Sequence, residues 1–597
     1  MFEQFPGLRY HTAVPARAAF LKFVRAPEAF FRQEGPTTFL CGFGEAHLVL
    51  DYAEEIVGGL ELRLRALDRA HVTVVYEEAM EDALRRDPNF CTWFDTLIDE
   101  YDIDAGEHTL RSQGRRGFRY VGIYVSSPAS VELISANAIN GGWPVQQQGS
   151  FRCSDERLNK VWDISANTVR ACMQNYYEDG VKRDGLLWLG DSRLTIPSAW
   201  YAFGDSALAR KSLLIIKNAQ YPNGAITACA ARGGGHIHDI PSGIAYMPTV
   251  PEMLDGMIYL NYMCEYIMAI DSYVRLTNDQ TILPEILDTA RTAMEFLVTA
   301  SDLETPGVWW IDQYKNTPDS NGLTYDIQYE CTMNPRTNFG SKGGFLLEMM
   351  DAARSLGRLA ARAGDKELQV WSEALANRLD DHIETHYKET QYGRYLDEKG
   401  QSLYQTLQYS AILATLAGKE DPNGLYHLTR SVMPCWGYVM TLRVAALFQA
   451  GCTSDALRDI RSAWGQMLDA GDITCWERLD LPINDATHYF DAKGSRCHGW
   501  TAGPAWLLPE WITGVHAEAD GFEAVRIQPD LADLDWAEAT VPTPHGLLQV
   551  RVERCGRGQT LYLDLPEGIA SCTVQWPDGD PIQLNQSGSH ILSFGRS

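Results

Sequence analysis

The sequence predicts a multidomain chain in which a central all-α (α/α)6 toroidal barrel is flanked by N-terminal and C-terminal β-sandwich domains. Three observations lead there: β-rich texture runs to about residue 145, long helical periods fill about 150 to 512, and β texture returns from about 515. The expected boundaries are residues 1–148, 149–513 and 514–597.

In the first zone, His71-Val-Thr-Val-Val-Tyr76 and Phe118-Arg-Tyr-Val-Gly-Ile-Tyr-Val125 read as strands. Gly117 and Ser126-Ser127-Pro128 bound the second of them. Ile56 to Leu67 also suits a sheet, with Gly58-Gly59 predicted as a turn and Leu60, Leu62 and Leu64 then alternating with polar positions. In the middle zone, Ser154 to Tyr177 opens on a predicted serine N-cap with Asp155 and Glu156 at the positive end of the helix dipole. Met257–Leu276, Phe345–Arg362, Leu368–His386, Val439–Ala450 and Ser454–Asp469 carry the same period. Roughly a dozen such helices, without strands alternating between them, favour an α/α toroid over a β/α barrel. In the last zone, Thr540–Val552 predicts a turn feeding a strand, while Thr560–Leu565 and Ala570–Trp576 predict two more strands.

Composition narrows the function. The chain has 597 residues, 45% hydrophobic and 22% charged, as expected of an ordinary globular protein. Its 51 basic and 78 acidic residues give a net charge of −27, which argues against nucleic acid and anionic membrane as partners. No basic-then-apolar leader opens the sequence and no long apolar run interrupts it, so neither a signal peptide nor a membrane span is expected. The 13 cysteines are scattered without a CxxC pair, which points to a reducing, cytoplasmic setting and away from a zinc or redox motif.

Three segments carry the candidate chemistry. Tyr177-Glu-Asp-Gly-Val-Lys-Arg-Asp-Gly-Leu-Leu-Trp-Leu-Gly-Asp191 gathers Glu178, Asp179, Lys182, Arg183, Asp184 and Asp191 around Trp188. Carboxylates and an arginine bind hydroxyls, and an indole covers the apolar face of a sugar ring. Gly471-Asp-Ile-Thr-Cys-Trp-Glu-Arg-Leu-Asp480 places Glu477 between Trp476 and Arg478, and Gly494-Ser-Arg-Cys-His-Gly-Trp-Thr-Ala-Gly-Pro504 brings His498 and Trp500. Each alone is as readily an ordinary loop. Together they offer the two carboxyl groups that glycosidic cleavage needs, one to protonate the leaving oxygen and one to activate water.

The Arg183-Asp184…Trp188…Gly190-Asp191, Thr474-Cys-Trp-Glu-Arg478 and Cys497-His-Gly-Trp-Thr-Ala-Gly-Pro504 segments resemble the bacterial α-L-rhamnosidases of glycoside hydrolase family 78, of six-hairpin glycosidase type. Arg119-Tyr120 and Val541-Pro-Thr-Pro-His-Gly546 resemble that family's flanking sandwich signatures. The resemblance implies an inverting exo-hydrolase that releases terminal α-L-rhamnose without a cofactor or metal. It places Glu477 as the general base and Asp184 at the general acid, a position commonly held by Glu. It implies rhamnose contacts from Asp179, Arg183, Trp188, Asp191, His498 and Trp500, with Glu178 and Trp476 completing the binding set. The chain departs from the family's Arg-Asp-Glu-Arg pattern, reading Arg183-Asp184-Gly185-Leu186, so Glu178 is the alternative acid. The implied partner is a small-molecule or oligosaccharide rhamnoside, and a homodimer is left open.

Other features predict less. His236-Ile-His238-Asp239 lacks further ligands for a metal, and Gly233-Gly-Gly235 lacks the strand and helix of a phosphate loop. Trp309 and Trp310, being adjacent, cannot both face one pocket from a regular element. Tyr221-Pro-Asn-Gly224 reads as a turn, and Cys475 and Cys497 as buried small side chains. The rival functions are a toroid-fold polysaccharide lyase or uronyl hydrolase, and a degenerate, non-catalytic sugar binder.

Overall fold

The fold is that of a computed structural model. It describes every residue except 1–6, 85–96, 184, 231–256, 302–325, 329–341, 389–410, 420–421, 431–435, 480–493, 557, 577–578 and 596–597. Strands fill the first part, helices the centre and strands the last part.

The first part holds β1 (Arg9–Ala13), β2 (Arg17–Lys22), β3 (Val24–Arg25), β4 (Thr37–Phe39), β5 (Ala46–Ala66), β6 (Ala70–Glu77), β7 (Ile98–Ile103), β8 (Gly106–Arg111), β9 (Arg116–Ser126) and β10 (Val131–Gly142). All ten join one sheet, and the 21-residue β5 is its spine. β5 pairs with β9 and β2 over its first half, then with β10 and β8 over its second, with an irregularity in its pairing with β9 between Asp51 and Ile56. The predicted alternation holds: Leu60, Leu62 and Leu64 are buried, whereas Arg63 and Arg65 are exposed. The predicted turn at Gly58-Gly59 does not occur. β5 runs straight through, and a Cβ on Gly58 would lie 1.8 Å from the Ile139 carbonyl oxygen, so this glycine serves close strand approach.

The central part contains α3 (Glu156–Cys172), α4 (Ser192–Phe203), α5 (Ala207–Asn218), α6 (Leu260–Thr277), α7 (Leu283–Ser301), α8 (Lys342–Ala363), α9 (Lys366–His386), α10 (411–416), α11 (Pro422–Arg430), α12 (Gly437–Gln449), α13 (Thr453–Ala463), α14 (Gly465–Asp469) and α15 (Pro504–Ile512), after two short earlier helices, α1 (Pro27–Phe31) and α2 (Met80–Ala83). The N-cap of α3 is Asp155, not Ser154: its carboxylate accepts from the N–H groups of Arg157 and Leu158. Ser154 instead uses its hydroxyl to accept from Asp535 N–H. The helix ends at Cys172, short of Tyr177, because Tyr177 N–H is taken by the Ser212 hydroxyl and Glu178 N–H returns to the Cys172 carbonyl. The expected single helix from Ser454 to Asp469 is broken at Trp464. Gly465 there lies against the Arg157 guanidinium, which a Cβ would meet at 2.2 Å. Among neighbours, α4 packs on α6 and α15, α6 on α8, and α12 on α15. No helix among the described residues is long and apolar enough to cross a membrane.

The chain enters the helices through β11 (Ser150–Cys153), and a two-stranded parallel pair, β12 (Met257–Tyr259) and β13 (Asp326–Gln328), lies within the helical part. The last part has β14 (Val515–Ala517), β15 (Ala524–Ile527), β16 (Trp536–Thr543), β17 (Gly546–Cys555), β18 (Gly558–Leu565), β19 (Ser571–Val574), β20 (Ile582–Leu584) and β21 (Gly588–Gly595). They form a four-stranded sheet, β14-β15-β19-β20, and a five-stranded one, β11-β16-β17-β18-β21. The second sheet takes its edge strand from the other side of the helical part, Ser150 pairing with Thr540 and Cys153 with Ala537.

Candidate active site

The three segments read from the sequence lie side by side. Val181 N–H donates to the Cys497 carbonyl and Gly499 N–H to the Asp179 carbonyl, so the third segment runs along the first. On its other side, His498 N–H donates to Cys475 O and Glu477 N–H to Ser495 O. The third segment is thus the middle of three, and its backbone carries the register that sets the side chains. The Trp500 indole N–H and Gly437 N–H both donate to the Glu477 carbonyl, fixing the second segment from below.

This backbone gathers a cluster of buried acids around one imidazole. Glu477 is 2% exposed; Arg183 Nη2 donates to its Oε1 at 2.6 Å and Ser495 N–H to its Oε2 at 2.8 Å. Asp179 accepts Leu186 N–H at 3.0 Å, and its other oxygen lies 3.6 Å from His498 Nε2. Asp191, directly before α4, lies 3.9 Å from His498 Nδ1. Among the described residues, neither carboxylate oxygen of Asp191 nor Nδ1 of His498 has a hydrogen-bond partner, although all three atoms are buried. Buried polar atoms left in this state are costly unless something meets them.

The electrostatics follow from burial. Loss of water pushes the Asp191 carboxyl up to about 8, with His498 opposing and Asp179 and Glu477 adding to the rise. Burial also works against a charged His498, yet the Asp179, Glu477 and Asp191 carboxylates outweigh it and raise the imidazole above its ordinary value. Burial lifts Glu178 to about 7, against the Arg115 guanidinium that bonds to its Oε2.

Aromatic rings surround the cluster. The His498 ring lies 4.0 Å from Trp500, which meets Trp436 and Tyr438 edge-on. Trp188 stacks on Tyr259 at 6.2 Å and meets Tyr262 edge-on, and a Cβ on Gly190 would strike the Tyr262 ring. Trp476 turns elsewhere: its indole N–H donates to Asp472 at 2.5 Å and its ring lies beneath Arg496. Asp184 lies outside the described residues, as do His236, His238, Trp309 and Trp310. The next residue, Gly185, has a φ of +73°, a conformation glycine adopts freely and a glutamate would not.

Sequence reasoning missed several partners. Arg193 donates twice to Glu265, at 2.8 and 3.0 Å, and Tyr438 donates to the same carboxylate at 2.6 Å, forming a charged layer below Trp500. Arg193 and Glu265 sit on helices whose apolar period hides them. Glu77 ends β6, and Glu78 and Arg115 stand one residue outside β6 and β9; no local signal marks them. Cys475 and Cys497 are fully buried, and burial pushes the Cys475 thiol up to about 12. Tyr221–Gly224 is a turn, closed by Gly224 N–H on the Tyr221 carbonyl. Among the described residues, no group of three or more His, Cys, Asp or Glu side chains is arranged to hold a metal ion.

Buried acids, an imidazole and indoles are brought together on helix-connecting segments, a set of groups that suits carbohydrate. Comparisons with known proteins show what the chain is similar to. Residues 146–324 match the bacterial alpha-L-rhamnosidase 6 hairpin glycosidase domain, and residues 514–590 match the bacterial alpha-L-rhamnosidase C-terminal domain. An alpha-L-rhamnosidase of Streptomyces avermitilis is 21% identical over 546 residues, covering 87% of this chain and 47% of that protein. The GH78 rhamnosidase of Bacillus sp. GL1 superposes with a TM-score of 0.72 at 23% identity, covering 93% of this chain and 56% of that one. The rhamnosidase from Klebsiella oxytoca with rhamnose bound has a TM-score of 0.67 at 20% identity, covering 85% of this chain and 96% of its own. Residues 146–324 and 514–590 are thus similar to two domains of the bacterial alpha-L-rhamnosidases, and the fold is that of the GH78 rhamnosidase structures. The chain spans about half the length of the Streptomyces relative.

Proposed function

We propose that this chain is an exo-acting glycoside hydrolase that releases terminal α-L-rhamnose from rhamnosides by single displacement with inversion. One observation carries the reading: Asp191 and His498 offer three buried polar atoms without partners among the described residues, beside the buried Asp179 and Glu477 carboxylates. Such atoms suit the hydroxyls of a sugar, which would supply the missing hydrogen bonds. Glu477 serves as the base that deprotonates water, with Arg183 and Ser495 holding its two oxygens. Asp184 serves as the acid. Glu178 is the alternative, and a carboxyl raised to about 7 by burial suits an acid near neutral pH. Inversion calls for carboxyl groups about 6.5–9.5 Å apart.

The helical part is read as an (α/α)6 toroid with β-sandwiches on both sides, divided at residues 149 and 513; contacts of α4 with α6 and α15, α6 with α8 and α12 with α15 support a ring. Ten cysteines among the described residues are thiols, which fits a cytoplasmic setting.

The test is hydrolysis of an aryl α-L-rhamnoside with NMR of the first product anomer. Wild type should release the β-anomer, and Glu477→Gln should lose several orders of magnitude in kcat with an unchanged melting temperature. Normal turnover by Glu477→Gln removes the assignment. Rhamnose binding without turnover across several aglycones marks a degenerate binder, and an ultraviolet-absorbing unsaturated product marks a lyase.

A further inference from the structure

A carboxylate at the edge of the first sheet holds the middle segment of the site. Glu78 stands one residue beyond β6 and is 2% exposed. Its Oε1 accepts from the Ser495 hydroxyl at 2.7 Å and from Cys497 N–H at 3.1 Å, while its Oε2 accepts from Arg496 N–H at 2.7 Å. Lys182, on the first segment, places Nζ 3.2 Å from the same Oε2 and donates to the neighbouring Glu77 at 3.1 Å. Donors from three consecutive residues, 495 to 497, and from a second segment therefore converge on one side chain.

What these donors do next gives the arrangement its meaning. Ser495 N–H donates to Glu477 Oε2, and Ser495 O accepts from Glu477 N–H. His498 follows directly on Cys497, whose N–H Glu78 holds. The segment is also close-fitting, since a Cβ on Gly494 would come within 2.7 Å of Glu477 Oε2. We infer that Glu78 is a positioning residue: through Ser495 it fixes the Glu477 carboxylate, and through Cys497 it fixes the backbone entering His498. Glu78 acts on the reaction through these residues and not on the sugar, and the inference rests on the reading of Glu477 as the base. A carboxylate, which only accepts, matches four donors; an amide must turn an N–H₂ toward some of them. Activation of water tolerates little displacement of the base, and about 1 Å of misplacement can cost a hundredfold.

The experiment measures kcat and KM of the full chain on an aryl α-L-rhamnoside for Glu78→Gln, Ser495→Ala and Glu81→Gln, with melting temperatures and a crystal structure of Glu78→Gln. Glu81 takes the Arg496 side chain at 2.6 Å and serves as the control from the same edge. Glu78→Gln should lower kcat roughly ten- to a hundredfold with KM and melting temperature near wild type. Ser495→Ala should fall in the same direction by less, and Glu81→Gln should keep the wild-type kcat. In the crystal structure, Glu477 Oε2 should part from Ser495 N–H. The inference is overturned if kcat of Glu78→Gln matches that of Glu81→Gln, if its kcat falls only in step with its stability, or if Glu477 stays in place. A wild type inert toward every aryl glycoside sinks the hydrolase reading alone, and the crystallographic comparison still decides the role of Glu78.

Discussion

Asp191 shows how a single position couples stability to pH. Its carboxyl rises from an ordinary 3.8 to about 8 because burial disfavours the charge. A carboxyl with a raised native value stabilises the fold fully below its ordinary value, and that contribution is lost as pH climbs through the native one. Between pH 3.8 and about 8, Asp191 therefore makes the fold progressively less stable, and Glu178, raised to about 7, acts in the same direction. The always-neutral variant Asp191→Asn should show a shallower decline of melting temperature over that range when followed by differential scanning fluorimetry. Parallel curves for variant and wild type would mean that Asp191 is not a buried, proton-holding acid. The residue types of this site were legible because indoles, acids and a histidine crowd three short segments. Their environment was not: Trp476 reads like Trp500 in sequence, yet its indole N–H goes to Asp472 while Trp500 lies on His498.

At the scale of elements, periodicity carried most of the fold, and the errors arose where distant chain decides local structure. Leu60, Leu62 and Leu64 announce their strand because each contacts the same buried face. Gly58 misleads because its role is set by Ile139 on another strand. Gly58→Ala should destabilise the protein by about 1–3 kcal/mol, through overpacking against a carbonyl that cannot retreat, as measured by chemical denaturation. Unchanged stability would return Gly58 to the status of a tolerant turn residue. The start of α3 was placed within one residue because serine and aspartate both cap well. Asp155 prevails by reaching two N–H groups while its second oxygen accepts from Arg461. Asp155→Ala should cost about 0.5–2 kcal/mol in the same assay, whereas Ser154→Ala should cost less.

For the whole molecule, the first sheet and the helical part share charges that neither can keep alone. Arg115 bonds to Glu178, Lys182 reaches Glu77 and Glu78, and Arg119 spans from Asp51 to the Gly471 carbonyl at the head of the Glu477 segment. A chain beginning near residue 144 would strip Glu178 and Lys182 of these partners and uncover the segment that Gly117 packs against. That truncation should be insoluble or bind a hydrophobic dye, whereas the full chain should be soluble and dye-silent; a well-folded, active truncation would refute the dependence. None of these contacts was legible beforehand, because each joins residues far apart in sequence. The pairing of Ser150 with Thr540 has a separate outcome during synthesis. A ribosome adding about 5–20 residues per second makes the edge strand roughly 20–80 seconds before its partner. Throughout that interval the nascent helices hang from an open β edge, the kind of surface that invites aggregation.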